Sequence, residues 1–152
     1  MSDAISRWVW ETRYRLKGER AITDSWKRVA RALASVESDP ESSYRVFLDI
    51  LQDYRFLPGG RILAGAGSGR DVTLFNCFVM GLIEDSLDGI FSALRESALT
   101  MQMGGGIGLD FSTLRPAGVR TKRVGVIASG PVSFMHVWDA MCATLVSSGN
   151  RR

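Results

Sequence analysis

What constrains this chain most is a succession in its second half. An apolar run, Thr73-Leu74-Phe75-Asn76-Cys77-Phe78-Val79-Met80, is followed by the carboxylates of Asp85-Ser86-Leu87-Asp88 and then by Gly104-Gly105-Gly106-Ile107-Gly108. Val72 to Met80 reads as a strand covered on both faces, with Cys77 buried inside it. From about Ser86 a helix carries Leu87, Ile90, Phe91, Leu94, Ala98 and Met101 on one side, and Gly104 stops it. Ile107 to Phe111 reads as a short second strand. Strand, helix and strand predict a right-handed parallel crossover. The Cys77 thiol would then face whatever the glycines admit.

The first half reads differently. Residues 1 to about 58 are predicted helical: Trp26, Val29, Ala30 and Leu33 repeat at helical spacing, as do Tyr44, Phe47, Leu48 and Leu51. Asp39 is placed to cap the second of these helices, with Pro40 in its first turn. Pro58-Gly59-Gly60 is expected to end the helical region, and Gly65 to Gly69 to form a loop. A polar loop is expected from Ser112 to about Arg123, and Gly130-Pro131 opens a last helix with Phe134, Val137, Trp138, Met141, Cys142 and Leu145 on its apolar face. Ser147 to Arg152 reads as a loop leaving that helix. A parallel sheet stopped there would keep an open edge, so the sequence reads as cut within a domain.

Composition excludes several classes. With 45% hydrophobic residues the chain can bury a core, which argues against disorder. A net charge of +3 is too small to argue for nucleic acid, although basic residues concentrate from Arg115 to Arg123 and at Arg151-Arg152, where small anions would suit them. Two cysteines, Cys77 and Cys142, form neither a metal pattern nor a disulfide framework. Met1 to Arg20 has no apolar segment of a signal peptide, and no apolar run approaches the ~18 residues of a membrane helix. A reducing cytoplasm is the expected setting.

Each candidate residue carries a plain reading beside a functional one. Cys77 is either a redox thiol or a core cysteine acting as a small hydrophobe, and residue type alone favours the second. Cys142 reads as core. The glycines from 104 to 108 precede a strand, so they form neither a phosphate loop nor a dinucleotide fingerprint. A helix stop accounts for Gly104; a ligand lying against the surface would account for Gly105, Gly106 and Gly108. Asp85 and Asp88 suit a helix N-terminus by capping alone. Arg115, Arg120, Lys122 and Arg123 make either a solvated loop or an anion site. Ser133, His136 and Asp139 share a helix, but no strained turn presents the serine as a nucleophile.

Six motifs, taken in order, carry a resemblance. Phe56-Leu57-Pro58-Gly59-Gly60-Arg61-Ile62-Leu63, Asn76-Cys77, Asp85-Ser86-Leu87-Asp88, Gly104-Gly105-Gly106-Ile107-Gly108, Leu114-Arg115-Pro116 and Ala128-Ser129-Gly130-Pro131 stand as they do in ribonucleotide reductase large chains. The chain most resembles the adenosylcobalamin-dependent class, over about residues 56 to 152. The resemblance implies an α/β fold: a helical region over residues 1–58, then over 59–152 the first part of a ten-stranded α/β barrel. It implies that Cys77 is one of two cysteines that reduce the substrate and become a disulfide. Asn76, Gly105, Gly106 and Ser129 match positions near the substrate nucleotide, and Gly60 matches one where only its backbone would contribute. Asp85, Arg115 and Lys122 match residues of an allosteric deoxynucleoside triphosphate site, and Asn150, Arg151 and Arg152 the start of the loop that relays effector identity.

The implied partners are a ribonucleotide substrate, that effector, the C-terminal portion of a reductase, a thioredoxin-type reductant and a second copy in a homodimer, with adenosylcobalamin as cofactor of the complete enzyme. No metal ligands are expected among these residues. The family's radical-bearing cysteine and the partner of Cys77 have no counterpart in this sequence, so the chain alone is expected to be inactive. A non-catalytic nucleotide-binding module remains the alternative, and the reductase class served by a separate radical-generating subunit is a third.

Overall fold

The computed structural model describes residues 4–120 and 125–147, in two units divided between Phe75 and Asn76.

The first unit is helical. Helix α1 (Ala4–Val9) runs into a π-helical turn (Trp10–Tyr14), followed by α2 (Ile22–Ala34), α3 (Pro40–Leu51), a 3-10 turn (Gln52–Tyr54) and α4 (Gly60–Gly65). As the sequence predicts, the Ser42 N–H donates to the Asp39 carboxylate at 3.1 Å, and Pro40 occupies the first turn of α3. Trp26, Val29, Ala30, Leu51 and Ala66 form the buried core, with Tyr44, Phe47, Leu48, Ile62 and Leu74 packed against it. After α3 the backbone turns sharply through two left-handed non-glycine residues, Asp53 (φ 54°) and Tyr54 (φ 58°). Tyr54 places its ring edge-on to Trp26 at 5.3 Å.

A polar network crosses this unit. The Trp10 indole donates to Ser25 Oγ (2.8 Å), and the Ser25 hydroxyl donates to Glu19 (2.7 Å). Glu19 also accepts from the Leu16 N–H (2.7 Å) and from Arg28 Nε (2.7 Å). The remaining Arg28 nitrogens donate to the carbonyls of Ala66, Leu63 and Tyr14. One guanidinium therefore ties α2 to α4 and to the π-helical turn.

Burial alone would raise the Glu19 pKa, but hydrogen bonds from Arg28, Leu16 and Ser25 and the Arg28 charge outweigh it and hold the carboxyl below its ordinary 4.5. A depressed folded-state pKa adds stability above the unfolded-state value, and that stability is lost as pH falls through the folded-state value. The helical unit is expected to lose stability on acidification below about pH 4.5. Glu19→Gln should lower stability at neutral pH and flatten that acid dependence, which circular dichroism melts over a pH series would check. A variant with the wild-type pH slope would remove Glu19 as its source.

The second unit holds a two-stranded parallel sheet. Strand β1 (Cys77–Val79) pairs with β2 (Gly106–Gly108) in the register Cys77 to Gly106, Phe78 to Ile107 and Val79 to Gly108. Helix α5 (Leu87–Gln102) connects them, and α6 (Pro131–Ser147) packs on α5. Ser86 caps α5 by accepting the Gly89 N–H at 3.0 Å, and Gly104 leaves it at φ 88°. Ile83, Ile90, Leu114 and Trp138 are the buried core. The Trp138 indole donates to the fully buried Ser97 hydroxyl (3.1 Å), which donates to the Ala93 carbonyl (2.7 Å).

Several expectations are corrected. The run from Val72 to Met80 is not a strand covered on both faces: only Cys77–Val79 is extended and paired, Val79 is 97% exposed, and Cys77 is exposed rather than buried. Within the run Leu74 packs against the core of the first unit and Phe78 is half-buried, whereas Cys77 and Val79 leave the other face of β1 and are exposed. The second strand is Gly106–Gly108 instead of Ile107 to Phe111: its pairing with β1 ends at Gly108, although Ile107, Leu109 and Phe111 all pack against the core. Pro58-Gly59-Gly60 does not end the helical region: Gly59 is extended and Gly60 begins α4. The segment read as a polar loop includes backbone pairing, Gly118 N–H to Ala128 O (3.0 Å) and Ala128 N–H to Val119 O (2.8 Å), with an Arg120–Ile127 bridge.

Candidate functional site

Cys77 stands on β1 with its backbone paired to Gly106, whose N–H donates to the Asn76 carbonyl at 2.8 Å. A side chain on Gly106 would place its Cβ 3.4 Å from Cys77 Sγ and 3.3 Å from the Asn76 carbonyl. The missing side chain thus leaves the thiol uncovered. Gly105 has a different reason to be glycine. A Cβ there would lie 2.7 Å from Phe78 Cε2 and 2.9 Å from Thr100 Cγ2, so the Phe78 ring already fills that space. The expectation that a ligand explains Gly105 gives way to an internal aromatic contact.

Asn76 is exposed just before β1. Ser129 is exposed ahead of α6, and its carbonyl accepts the Ser133 hydroxyl at 3.1 Å. That bond turns Ser133 back along its own helix, away from any catalytic triad with His136, which is exposed. Gly130, at φ 82°, would bring a Cβ within 2.8 Å of the Ala117 nitrogen, so only glycine fits between Ser129 and α6. Gly60 belongs to the first unit, where a Cβ would come within 3.1 Å of the Tyr14 hydroxyl.

Asp85 and Arg115, 30 positions apart, are brought together. Arg115 Nε donates to the Asp85 carboxylate at 2.8 Å, and Arg115 Nη2 donates to the Asp85 backbone carbonyl at 2.9 Å. The pair is about one-third exposed and lies at the start of α5. Thr113, which sequence reasoning did not single out, donates to the Ile83 carbonyl at 2.6 Å, and Leu114 is buried between these two clasps. The apolar Leu114 between the polar Thr113 and Arg115 was the available signal. Cys142 is partly buried, with its sulfur 3.6 Å from that of Met101. Lys122, Asn150, Arg151 and Arg152 lie outside the described residues. Among the described residues no group of three His, Cys, Asp or Glu side chains is placed to hold a metal ion, and no helix is long and apolar enough to cross a membrane.

A helical unit followed by a parallel strand–helix–strand unit is the element order of an α/β fold. The family model for the ribonucleotide reductase all-alpha domain matches residues 2–71, and that for the ribonucleotide reductase barrel domain matches residues 75–152. The chain belongs to the ribonucleotide reductase family and corresponds to the N-terminal portion of its large chain. It is 43% identical over 130 residues to a vitamin B12-dependent ribonucleoside-diphosphate reductase of Mycobacterium tuberculosis, covering 82% of this chain and 18% of that one. It is 36% identical over 106 residues to the vitamin B12-dependent ribonucleoside-diphosphate reductase of Thermoplasma acidophilum, covering 70% and 14%. The chain therefore spans less than one-fifth of the length of these relatives. The fold resembles the class Id ribonucleotide reductase alpha subunit of Actinobacillus ureae, with a TM-score of 0.68 and 22% identity over 91% of this chain and 25% of that one.

Proposed function

We propose that this chain supplies the first part of a cobalamin-dependent ribonucleotide reductase, with Cys77 as one of its two reducing thiols. The observation that carries the reading is the exposed Cys77 thiol on a parallel strand beside Gly106, in a segment matched by the reductase barrel domain. In the net reaction two thiols become a disulfide, their two electrons and two protons replace the ribose 2′-hydroxyl by hydrogen, and water leaves. Cys77 would provide one thiol; the second would come from elsewhere in the complete enzyme. A thioredoxin-type partner would restore both, and a reducing cytoplasm suits free thiols.

In this reading Asn76, Gly105, Gly106 and Ser129 lie near the substrate nucleotide. The helical region would precede the barrel part, and a second copy would complete a homodimer. Adenosylcobalamin, when bound to the complete enzyme, supplies the radical that starts the chemistry. No residue of this chain is assigned to the corrin.

Asp85, Arg115 and Lys122 would hold a deoxynucleoside triphosphate, with Asn150, Arg151 and Arg152 relaying its identity. With Nε and Nη2 committed to Asp85, Arg115 offers Nη1 to a phosphate oxygen, where charge-assisted hydrogen bonds are strong. In the complete reductase, Arg115→Ala is expected to weaken effector binding by roughly 1.5–3 kcal/mol, with much less change in effector-free turnover. Calorimetric titration decides it: equal affinities in wild type and variant would take Arg115 out of the site. The alternative, a non-catalytic nucleotide-binding module, requires effector binding that is indifferent to Cys77 and no reduction by any complete assembly.

A further inference from the structure

Two adjacent glycines, Gly105 and Gly106, lie next to two adjacent residues of β1, and the contacts divide between them. Successive strand residues point to opposite faces, so Phe78 and Cys77 leave β1 on opposite sides. Phe78 is half-buried, and its ring lies where a Gly105 side chain would begin, with Thr100 of α5 closing the same space. Cys77 is exposed, and its sulfur lies beside the bare Gly106. A three-residue strand with one paired neighbour among the described residues has few backbone hydrogen bonds to fix it. A ring seated in a fitted notch supplies what the ladder lacks, because close-packed contacts resist displacement.

We propose that Phe78, seated on Gly105, is the positioning residue that fixes β1 against β2 and thereby sets the presentation of the Cys77 thiol beside Gly106. Gly105 is then required for the seat and Gly106 for access, two separate jobs for neighbouring residues of the same type. The importance of this seat for turnover rests on the reading of Cys77 as a redox thiol; its effect on thiol presentation does not.

The test is the rate at which iodoacetamide alkylates Cys77 in the full chain, read by peptide mass mapping with Cys142 as internal reference. Gly105→Ala forces the Phe78 ring off its seat and loosens β1, and is expected to raise the Cys77 rate about threefold or more, the scale of coupling between residues in contact. Gly106→Ala puts a methyl against the sulfur and is expected to lower it. Phe78→Ala removes the ring, so adding Gly105→Ala to it should change the rate by less than about twofold. Independent, multiplicative effects of Phe78→Ala and Gly105→Ala would overturn the proposal. So would restoration of the wild-type rate by Thr100→Ser in the Gly105→Ala chain, which would place the conflict in α5. If Gly105→Ala does not fold, the double variant with Phe78→Ala is expected to fold, and its failure to do so also overturns the proposal. A Cys77→Ser reductase that still turns over would remove the redox reading and leave these rates untouched.

Discussion

In the complete reductase, Cys77→Ser is expected to reduce multiple turnover to background while Cys142→Ser retains most activity. The difference follows from where the sulfurs are. Cys77 is exposed on β1 with a bare glycine beside it, open to a substrate and to a second thiol. Cys142 is partly covered on α6, with its sulfur against that of Met101. A serine hydroxyl cannot form the disulfide that delivers two electrons, so the first loss cannot be repaired by a stronger reductant. Cys142→Ser should cost about 1 kcal/mol of stability, in the ordinary range for a single substitution. Steady-state assays with an excess of reductant, paired with circular dichroism to confirm folding, would read both variants. Inverted results would reassign the redox role to Cys142.

The largest effect expected on stability alone is at Arg28. The Arg28–Glu19 side chains are 12% and 9% exposed, and removing the arginine leaves a largely covered carboxylate with only the Leu16 and Ser25 donors, at a cost approaching the roughly 3–5 kcal/mol of a broken buried pair. Arg28→Ala also strips a donor from the carbonyls of Ala66, Leu63 and Tyr14. Against a total of about 5–15 kcal/mol for a typical domain, this variant should be marginal or unfolded in its helical unit. Arg28→Lys should recover only part of the loss, since one ammonium cannot reproduce a fork spread over four partners. Urea denaturation of the three proteins decides it: a loss below about 1 kcal/mol for Arg28→Ala would show the network to be dispensable.

Much of this architecture was legible in the sequence because periodicity and caps are local signals. The spacing of Trp26, Val29 and Ala30, and the pair Asp39-Pro40, mark helices that form as read. Asp85 and Arg115 were assigned to one site and do touch, although spacing said nothing of their direct ion pair. What local signals missed depends on partners distant in sequence. An apolar run predicts burial only where something covers it, and Val79 and Cys77 have no such cover among the described residues. Gly105 suggested a ligand, but the space above it belongs to Phe78, which sits 27 positions earlier. The Arg28 network joins residues from Trp10 to Ala66, and no short pattern announces it.

The two buried indoles that donate to buried serines have a practical consequence. Trp10 lies in the first unit and Trp138 in the second, each desolvated and hydrogen-bonded within its own unit. Their emission should shift to longer wavelength when the local structure opens and water reaches the ring. With Trp138 replaced by phenylalanine, the remaining buried signal, from Trp10 and Trp26, reports the helical unit alone. The chain thus carries built-in optical probes that can tell whether its two units unfold in one cooperative step or in succession.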